Sequence, residues 1–181
     1  MKVKRKIYFI SFFLCLAIIF ISVFLFYQIR YPVKYQEAIN VYSARYGLDN
    51  ELVASLINEE SSFKANSKSN KGAVGLMQLL PSTAEYIATS LLKEEYVEER
   101  LLDPETNIRY GCCYLNYLKN KFNDEKTYLC AYNAGETNVV KWLNDKNLSD
   151  NGKSIDNIPY LATQTYVNKI IKGKKYYLKR L

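Results

Sequence analysis

Apolar residues follow two patterns along this chain of 181 residues. The first is an apolar run over residues 7–29, a stretch of 23 residues without a charged side chain. A helix rises about 1.5 Å per residue, so this run spans about 35 Å and can cross a bilayer core of about 30 Å. From residue 32 onward, apolar residues recur every three or four positions, and no alternating stretch exceeds a few residues. The second pattern predicts an all-α domain.

Capping residues divide the second pattern into short helices. Asp49 is a typical N-cap residue, and Gly47 ends the helix before it. The pair Asp103-Pro104 combines a cap with a proline in the first turn, which indicates the start of a long helix. The predicted helices cover residues 35–47, 50–61, 81–92, 104–122, 126–134, 136–146 and 159–172, with a polar loop over 64–75.

The residues before the apolar run are basic, with no acidic residue among the first thirty. By the positive-inside rule, residues 1–6 are predicted to be a cytoplasmic basic tail and residues 7–29 a transmembrane signal-anchor helix. Residues 31–181 then form an extracytoplasmic domain. The run exceeds a signal-peptide core in length and no small-x-small cleavage pattern follows it. A cleaved signal peptide is the alternative interpretation, and it exports the same domain.

The net charge of +7 comes from the two ends of the chain. Residues 31–168 hold 14 basic and 18 acidic side chains, whereas the last thirteen residues add six bases. A nucleic-acid groove needs basic residues over the folded body, so no nucleic-acid partner is expected. The basic C-terminus is interpreted as a solvated helix end, with binding to anionic wall polymers or lipid headgroups as the alternative.

The chain has no histidine, which excludes several kinds of catalytic site. Neither a histidine-activated nucleophile nor an H-E-x-x-H zinc site can form, so acid-base chemistry falls to carboxylates, tyrosines or lysines. Cys112, Cys113 and Cys130 match no zinc pattern, and no metal is expected. The three are interpreted as buried apolar side chains, with a disulfide from Cys130 to one of the adjacent pair as the alternative.

One glutamate falls where helical periodicity predicts a buried side chain. At about 100° per residue, Glu60 lies at the centre of the apolar stripe of the 50–61 helix, and Glu59 lies at its edge. Burial and the negative end of the helix both disfavour a carboxylate, which predicts a raised pKa suited to a general acid. The alternative is that the helix frays before Glu60 and its side chain points into solvent. The stripe consists of Leu52, Val53, Leu56 and Ile57.

Four motifs occur in order along the chain, and the first of them begins with Glu60. They are Glu60-Ser61 with Gly75-Leu76-Met77-Gln78 and Pro81, Asp103-Pro104-Glu105-Thr106-Asn107-Ile108, Ala131-Tyr132-Asn133-Ala134-Gly135 with Val139 and Trp142, and Ile158-Pro159-Tyr160 with Tyr166-Val167. Over residues 35–172 the chain resembles lytic transglycosylases of the soluble-lytic-transglycosylase (SLT) type. The resemblance implies a lysozyme-like helical domain, related to goose-type lysozyme, that follows the transmembrane helix.

The resemblance also implies an activity, that of a peptidoglycan lytic transglycosylase. Such an enzyme cleaves the β-1,4 bond between N-acetylmuramic acid (MurNAc) and N-acetylglucosamine (GlcNAc) and leaves a 1,6-anhydro-MurNAc end. Glu60 would be the single catalytic acid and then the base, without a cofactor. Glycan strands would be the substrate, with cell-wall or secretion machinery as further partners. The implied substrate-contacting residues are Ser61, Met77, Gln78, Tyr132, Asn133, Tyr160 and Tyr166, of which Tyr132 would hydrogen-bond near Glu60 and Tyr160 or Tyr166 would form the wall.

The chain departs from the family pattern at two places. Ala162-Thr163-Gln164 replaces a Glu-Thr-Arg triplet, so the chain lacks an acid-base pair that would supply either a structural ion pair or a substrate contact at the far wall of the cleft. Glu136-Thr137 replaces Pro-Gly, which predicts a different turn. No acidic residue lies between Glu60 and Glu85, which supports a mechanism with one carboxylate. The alternative functions are a muramidase that hydrolyses the same bond with water and an inactive peptidoglycan-binding scaffold in an envelope complex.

Overall fold

The computed structural model describes residues 2–181, and the chain divides after Pro32 into two units that are described separately. Met1, the first residue of the predicted basic tail, lies outside the described residues. The first unit is one helix, α1 (Lys2–Arg30). Over Tyr8–Arg30 its side chains are unburied, and it is the one helix in the described part of the chain that is long and apolar enough to cross a membrane. The predicted apolar helix is therefore present.

The second unit is helical, which confirms the predicted all-α class. No β-strand occurs among residues 2–181, although Val74 forms isolated bridges with Lys68 and Leu79 in the loop after the third helix. The helices are α2 (Gln36–Arg45), α3 (Asn50–Ser61), α4 (Pro81–Tyr86), α5 (Pro104–Phe122), α6 (Glu125–Ala134), α7 (Glu136–Leu143) and α8 (Leu161–Tyr177), with a π-helical turn over Ile87–Leu92 and a 3₁₀ turn over Glu98–Leu102.

Local capping explains where α5 begins. The Asp103 carboxylate accepts a hydrogen bond from the backbone N–H of Thr106 at 2.8 Å, and Pro104 occupies the first turn, so α5 spans the predicted residues 104–122. Asp49 precedes α3 as predicted, but its side chain does not cap the helix. It pairs instead with Lys174 of α8 at 2.7 Å, a partner that local sequence does not reveal.

The core of the second unit forms around α3. The apolar residues of α3 are fully buried, and the helix packs chiefly against α8, while α5 packs against α2 and α6. The hydroxyl of Ser55 donates to the backbone carbonyl of Ile170 at 2.8 Å and fixes the register between α3 and α8. The prediction of 159–172 for the last helix was wrong at its end, because buried Gly173 and Tyr177 continue the packed face beyond residue 172.

The three cysteines of the second unit are free thiols with buried side chains. This agrees with their interpretation as small apolar residues of the helices. Burial raises the pKa of Cys130 to about 12, so this thiol stays protonated at physiological pH.

Candidate active site

Glu60 lies in the last turn of α3, which extends through Ser61 before Ser62 adopts a left-handed conformation with φ 50°. The helix therefore does not fray before Glu60. Its neighbour Glu59 points elsewhere and forms an ion pair with Lys169 of α8 at 2.7 Å. The two adjacent carboxylates thus have different surroundings, and only Glu60 lies in the cleft described next.

A cleft of about 380 Å³ opens over Glu60. Its walls come from the end of α3, the loop between α3 and α4, and residues of α4, α5 and α6. Six of the thirteen lining residues have uncharged polar or aromatic side chains and five are apolar residues or glycine. Such a mixture is typical of a site for a polar ligand such as a sugar. The lining residues are Glu60, Ser69, Lys71, Ala73, Gln78, Leu79, Leu80, Thr83, Tyr114, Tyr132, Asn133, Ala134 and Gly135.

Tyr166 holds the Glu60 carboxyl group in place. Its hydroxyl donates to Glu60 Oε1 at 2.6 Å, and its ring is buried in the packing between α8 and the rest of the domain. Burial, together with the nearby charge of Glu60, raises the pKa of Tyr166 well above its ordinary value. The phenol therefore stays protonated and serves as a permanent donor to the carboxylate.

Burial raises the pKa of Glu60 from 4.5 to about 7. Desolvation is the largest cause, and the negative charge of Glu59 acts in the same direction. The hydrogen bond from Tyr166 opposes both, because it stabilises the ionised form. At neutral pH Glu60 is thus present in both protonation states, as an acid-base catalyst requires.

Tyr132 connects the cleft wall to the Met77-Gln78 turn. Its hydroxyl donates to the backbone carbonyl of Met77 at 2.9 Å, so it binds the turn beside Glu60 and not Glu60 itself. The Met77 side chain is fully buried and packs against Gly111 of α5, where any Cβ would collide with the Met77 sulfur. The Met77 side chain therefore packs in the core between the turn and α5, and it does not line the cleft.

Gln78 faces the cleft from a strained turn. Its φ of 48° places it in the left-handed region, and its side-chain amide donates to the carbonyl of Gly75 at 2.8 Å. Asn107 of α5 holds the turn from beneath, because its Oδ1 accepts from the Met77 backbone N–H at 2.7 Å. Gly75, with φ 83°, leaves the space that the Asn107 amide occupies. Asn107 of the Asp103–Ile108 motif thus packs against and hydrogen-bonds the Gly75–Gln78 turn of the first motif.

Asn133 lines the cleft and is held by Thr163, whose hydroxyl donates to Asn133 Oδ1 at 2.8 Å. Thr163 is the middle residue of the altered triplet, and the replaced positions, Ala162 and Gln164, are exposed. The triplet therefore keeps the residue that contacts the cleft wall. At the second departure, Gly135 has φ 87° and α7 begins directly at Glu136.

Four of the predicted site residues do not line this cleft: Ser61, Tyr160, Met77 and Tyr166. The hydroxyl of Ser61 is buried and donates to the Ile57 carbonyl at 3.1 Å. Tyr160 is 51% exposed and lies edge-on to Trp142, with ring centroids 5.0 Å apart. The structure thus brings Glu60, Gln78, Tyr132 and Asn133 together at the cleft, with Tyr166 bonded to Glu60.

Sequence reasoning missed four lining residues with polar side chains, Ser69, Lys71, Thr83 and Tyr114. Tyr114 could have been found, because it lies seven residues after Asn107 and therefore on the same face of α5. Ser69 and Lys71 lie in the loop between α3 and α4, where no helical periodicity marks the residues that face the cleft. Their place in the wall depends on the conformation of that loop. Among the described residues, no group of three or more potential metal ligands occurs.

Residues 37–155 match the protein family described as Transglycosylase SLT domain. The chain belongs to this family. Its relatives include the soluble lytic murein transglycosylase of Escherichia coli K12, 32% identical over 151 residues that cover 82% of this chain and 23% of that protein. The transglycosylase of enterobacteria phage PRD1 is 36% identical and covers 71% of this chain and 44% of its own. A membrane-bound lytic murein transglycosylase C of Histophilus somni is 31% identical, over 65% of this chain and 36% of that protein. The chain thus spans less than half the length of these relatives.

Solved structures confirm the SLT-type fold. An inactive mutant of the lytic transglycosylase Slt from Pseudomonas aeruginosa aligns with a TM-score of 0.74 at 28% identity, over 84% of this chain and 25% of that one. The soluble lytic transglycosylase in complex with bulgecin A aligns with a TM-score of 0.73 at 28% identity, over 83% and 25%. The prediction of an SLT-like domain is therefore confirmed.

Proposed function

We propose that the SLT domain is a peptidoglycan lytic transglycosylase, which cleaves the MurNAc–GlcNAc β-1,4 bond and forms a 1,6-anhydro-MurNAc end. The observation that carries the proposal is the setting of Glu60. It is the one carboxyl group among the described residues that line the cleft, and its pKa is raised to about 7. The names of the SLT relatives agree with this activity.

The first step needs a protonated acid. Glu60 donates its proton to the glycosidic oxygen, the bond from that oxygen to C1 of MurNAc breaks, and GlcNAc leaves with a free 4-hydroxyl. Positive charge develops at C1. The resulting Glu60 carboxylate is stabilised by the hydroxyl of Tyr166, which donates to it at 2.6 Å. This hydrogen bond strengthens as charge develops, so it favours the transition state over the ground state.

The second step reverses the role of Glu60. The Glu60 carboxylate takes the proton of the MurNAc C6 hydroxyl group. At the same time the C6 oxygen attacks C1 and closes the anhydro ring. Glu60 regains its proton, and no water is consumed. A pKa near 7 serves both steps, because neither protonation state is strongly disfavoured.

The absence of a second carboxyl group from the described cleft lining favours this reaction over hydrolysis. A retaining glycosidase needs a second carboxyl group at about 5–5.5 Å, and an inverting one at about 6.5–9.5 Å. Glu59 is engaged with Lys169 and does not line the cleft. The intramolecular C6 hydroxyl replaces the nucleophile that the described lining lacks.

The same geometry supports substrate contacts by three residues that line the cleft, Gln78, Tyr132 and Asn133. In this proposal Tyr166 positions Glu60, and Met77 supports the turn that carries Gln78. The Pseudomonas aeruginosa relative has an inactive mutant in which glutamine replaces a glutamate, which supports an essential glutamate in this fold.

We further propose that α1 anchors the enzyme in the cell membrane, with residues 1–6 cytoplasmic, residues 7–29 spanning and residues 31–181 on the wall side. The apolar helix Tyr8–Arg30 and a membrane-bound relative support this arrangement. Protease added to intact spheroplasts should digest the SLT domain. Digestion only after lysis would contradict the orientation.

Product chemistry tests the proposed reaction. The full chain in detergent is incubated with peptidoglycan sacculi, and the released muropeptides are measured by mass spectrometry. We expect products lighter than reducing-end muropeptides by one water molecule. Hydrated reducing ends would indicate a muramidase, and binding to sacculi without any product would indicate a scaffold.

A further inference from the structure

Lys71 is the one basic side chain among the described residues that line the cleft. Glu60 is partly neutral near pH 7, and the other lining residues carry no charge. A cleft for neutral sugars needs hydroxyl and amide groups, which Ser69, Gln78 and Asn133 supply. The lysine therefore calls for a separate explanation.

The ammonium group of Lys71 has no carboxylate partner. None of the five ion pairs found within residues 2–181 includes Lys71, and its side chain makes no hydrogen bond there. The loop that carries it contains two further lysines, Lys64 and Lys68, and no acidic residue lies between Glu60 and Glu85. This wall of the cleft is thus a site of uncompensated positive charge.

The backbone around Lys71 is fixed by a tight turn. The hydroxyl of Ser69 accepts hydrogen bonds from the backbone N–H groups of Lys71 at 3.3 Å and Ala73 at 3.0 Å. Gly72 donates its N–H to the Ser69 carbonyl at 3.0 Å and has φ 83°, which a residue with a side chain rarely adopts. The turn presents Lys71 at a defined position on the cleft wall.

We propose, on the basis of the proposed function, that Lys71 binds a carboxylate of the stem peptide attached to MurNAc and so favours glycan strands whose stem-peptide carboxylates are free over strands in which they are amidated. The sugar rings of the strand are neutral, and its anionic groups are carboxylates of the peptide that extends from the lactyl group. An ammonium group that loses water when the cleft fills is compensated best by such an anion.

Lys71 is separable from the acid-base chemistry. The groups that shift the pKa of Glu60 are its burial, Tyr166 and Glu59, and Lys71 is not among them. Lys71 is therefore a specificity-determining residue. Its replacement should weaken the binding of strands with free stem-peptide carboxylates and leave the pH dependence of catalysis in place.

Equilibrium binding tests this proposal without relying on turnover. The full chain in detergent, carrying Glu60→Gln to prevent cleavage, is titrated with soluble peptidoglycan oligosaccharides of two kinds. One kind has free stem-peptide carboxylates, and in the other the carboxylates are chemically amidated. Lys71→Gln is compared with Lys71→Arg and with Lys68→Gln, a matched control on the same loop that lies outside the described cleft lining.

We expect Lys71→Gln to raise the Kd for the free-carboxylate strands about fivefold, the upper range for a partly exposed ion pair. Amidation should raise the Kd of the unsubstituted Lys71 protein by the same factor, and the two changes should not add. Lys71→Arg should retain most of the preference, and Lys68→Gln should retain all of it.

An equal effect of Lys71→Gln on both kinds of strand would overturn the proposal, because it would show a contact with the sugars. No effect on either would show a solvated lysine. A shift in the alkaline limb of the kcat/KM profile for Lys71→Gln alone would show an action through Glu60. Because binding and cleavage are measured separately, a chain that binds strands selectively but never cleaves them would refute the proposed function alone.

Discussion

Two glutamates of the SLT domain accept a hydrogen bond from a tyrosine hydroxyl at 2.6 Å, and their pKa values shift in opposite directions. Tyr166 donates to Glu60, and Tyr110 donates to Glu94. Glu94 also receives two hydrogen bonds from the Arg109 guanidinium, which hold its pKa below the ordinary value. Glu60 has no such cation, and burial raises its pKa to about 7.

The comparison shows that the tyrosine does not decide the role of either glutamate. Both phenols stabilise the ionised carboxylate, so the difference comes from the guanidinium and from the degree of burial. With Arg109, the pKa of the Glu94 carboxyl group is lowered, and the carboxylate ties the segment before the Glu98–Leu102 turn to α5. Without a cation, a buried carboxyl group exchanges a proton near neutral pH, and the cleft gives that proton access to a ligand.

The largest expected difference between the two glutamates is catalytic. Glu60→Gln should lower kcat about a thousandfold or more, since glutamine can neither donate nor accept the proton. Release of anhydro-muropeptides from sacculi measures this loss. Glu59→Gln is the matched control on the adjacent position and should change kcat less than about threefold, because Glu59 faces Lys169.

Both glutamine variants must show the circular dichroism of the unsubstituted chain. A loss for Glu59→Gln as large as that for Glu60→Gln would place the catalytic carboxyl one residue earlier. Full activity of Glu60→Gln would refute the assignment of Glu60.

Removal of the tyrosine hydroxyl should have a smaller effect, and one that distinguishes the two sites. Tyr166→Phe removes the donor that lowers the pKa of Glu60, so the pKa should rise and the alkaline limb of kcat/KM should move to higher pH. We expect kcat to fall about tenfold, since the carboxylate formed in the first step loses its donor. Tyr110→Phe should leave the profile in place, and a shift of equal size there would contradict local action by Tyr166.

The raised pKa of Glu60 also predicts a dependence of stability on pH. The folded state holds the Glu60 proton up to about pH 7, whereas the unfolded chain releases it near 4.5, so stability falls as pH rises between these values. Glu60→Gln should therefore stabilise the protein by on the order of 2 kcal/mol near pH 8 and by little near pH 4. Urea unfolding at both pH values measures this, and an equal gain at both would contradict a raised pKa.

Disruption of the ion pair between Glu94 and Arg109 should have the smallest effect. Glu94→Gln leaves Arg109 without its carboxylate, and both side chains are partly exposed, with 34% and 24% of their surfaces accessible. We expect a loss of about 1 kcal/mol in the free energy of unfolding, with kcat unchanged. A large loss of kcat at equal stability would show that the second glutamate also serves catalysis.

Periodicity and capping were sufficient to predict much of the domain. The start of α5 depends on Asp103 and Pro104, which are adjacent in sequence, and the buried position of Glu60 depends on the stripe of its own helix. The polar loop after α3 was also expected. These features depend on interactions between residues only a few positions apart.

Long-range contacts explain what sequence reasoning left open. Tyr160 and Tyr166 were equivalent candidates for the cleft wall, and the packing of α8 against α3 brings Tyr166 to Glu60 across 106 positions. Ser61 adjoins Glu60 in sequence, but a rotation of about 100° turns its hydroxyl toward the Ile57 carbonyl. Lys71 enters the wall through a hydrogen-bonded turn that has no periodic signature.

The central claim is that Glu60 exchanges its proton near neutral pH while Glu94 stays ionised, and carbon-13 NMR titration of labelled glutamate carboxyl groups tests it most directly. The full chain in detergent micelles is titrated, and the Glu60 and Glu94 signals are assigned from their loss in the two glutamine variants. We predict a midpoint of about 7 for Glu60 and one below 4.5 for Glu94. A Glu60 midpoint at the ordinary value of 4.5 would contradict the account.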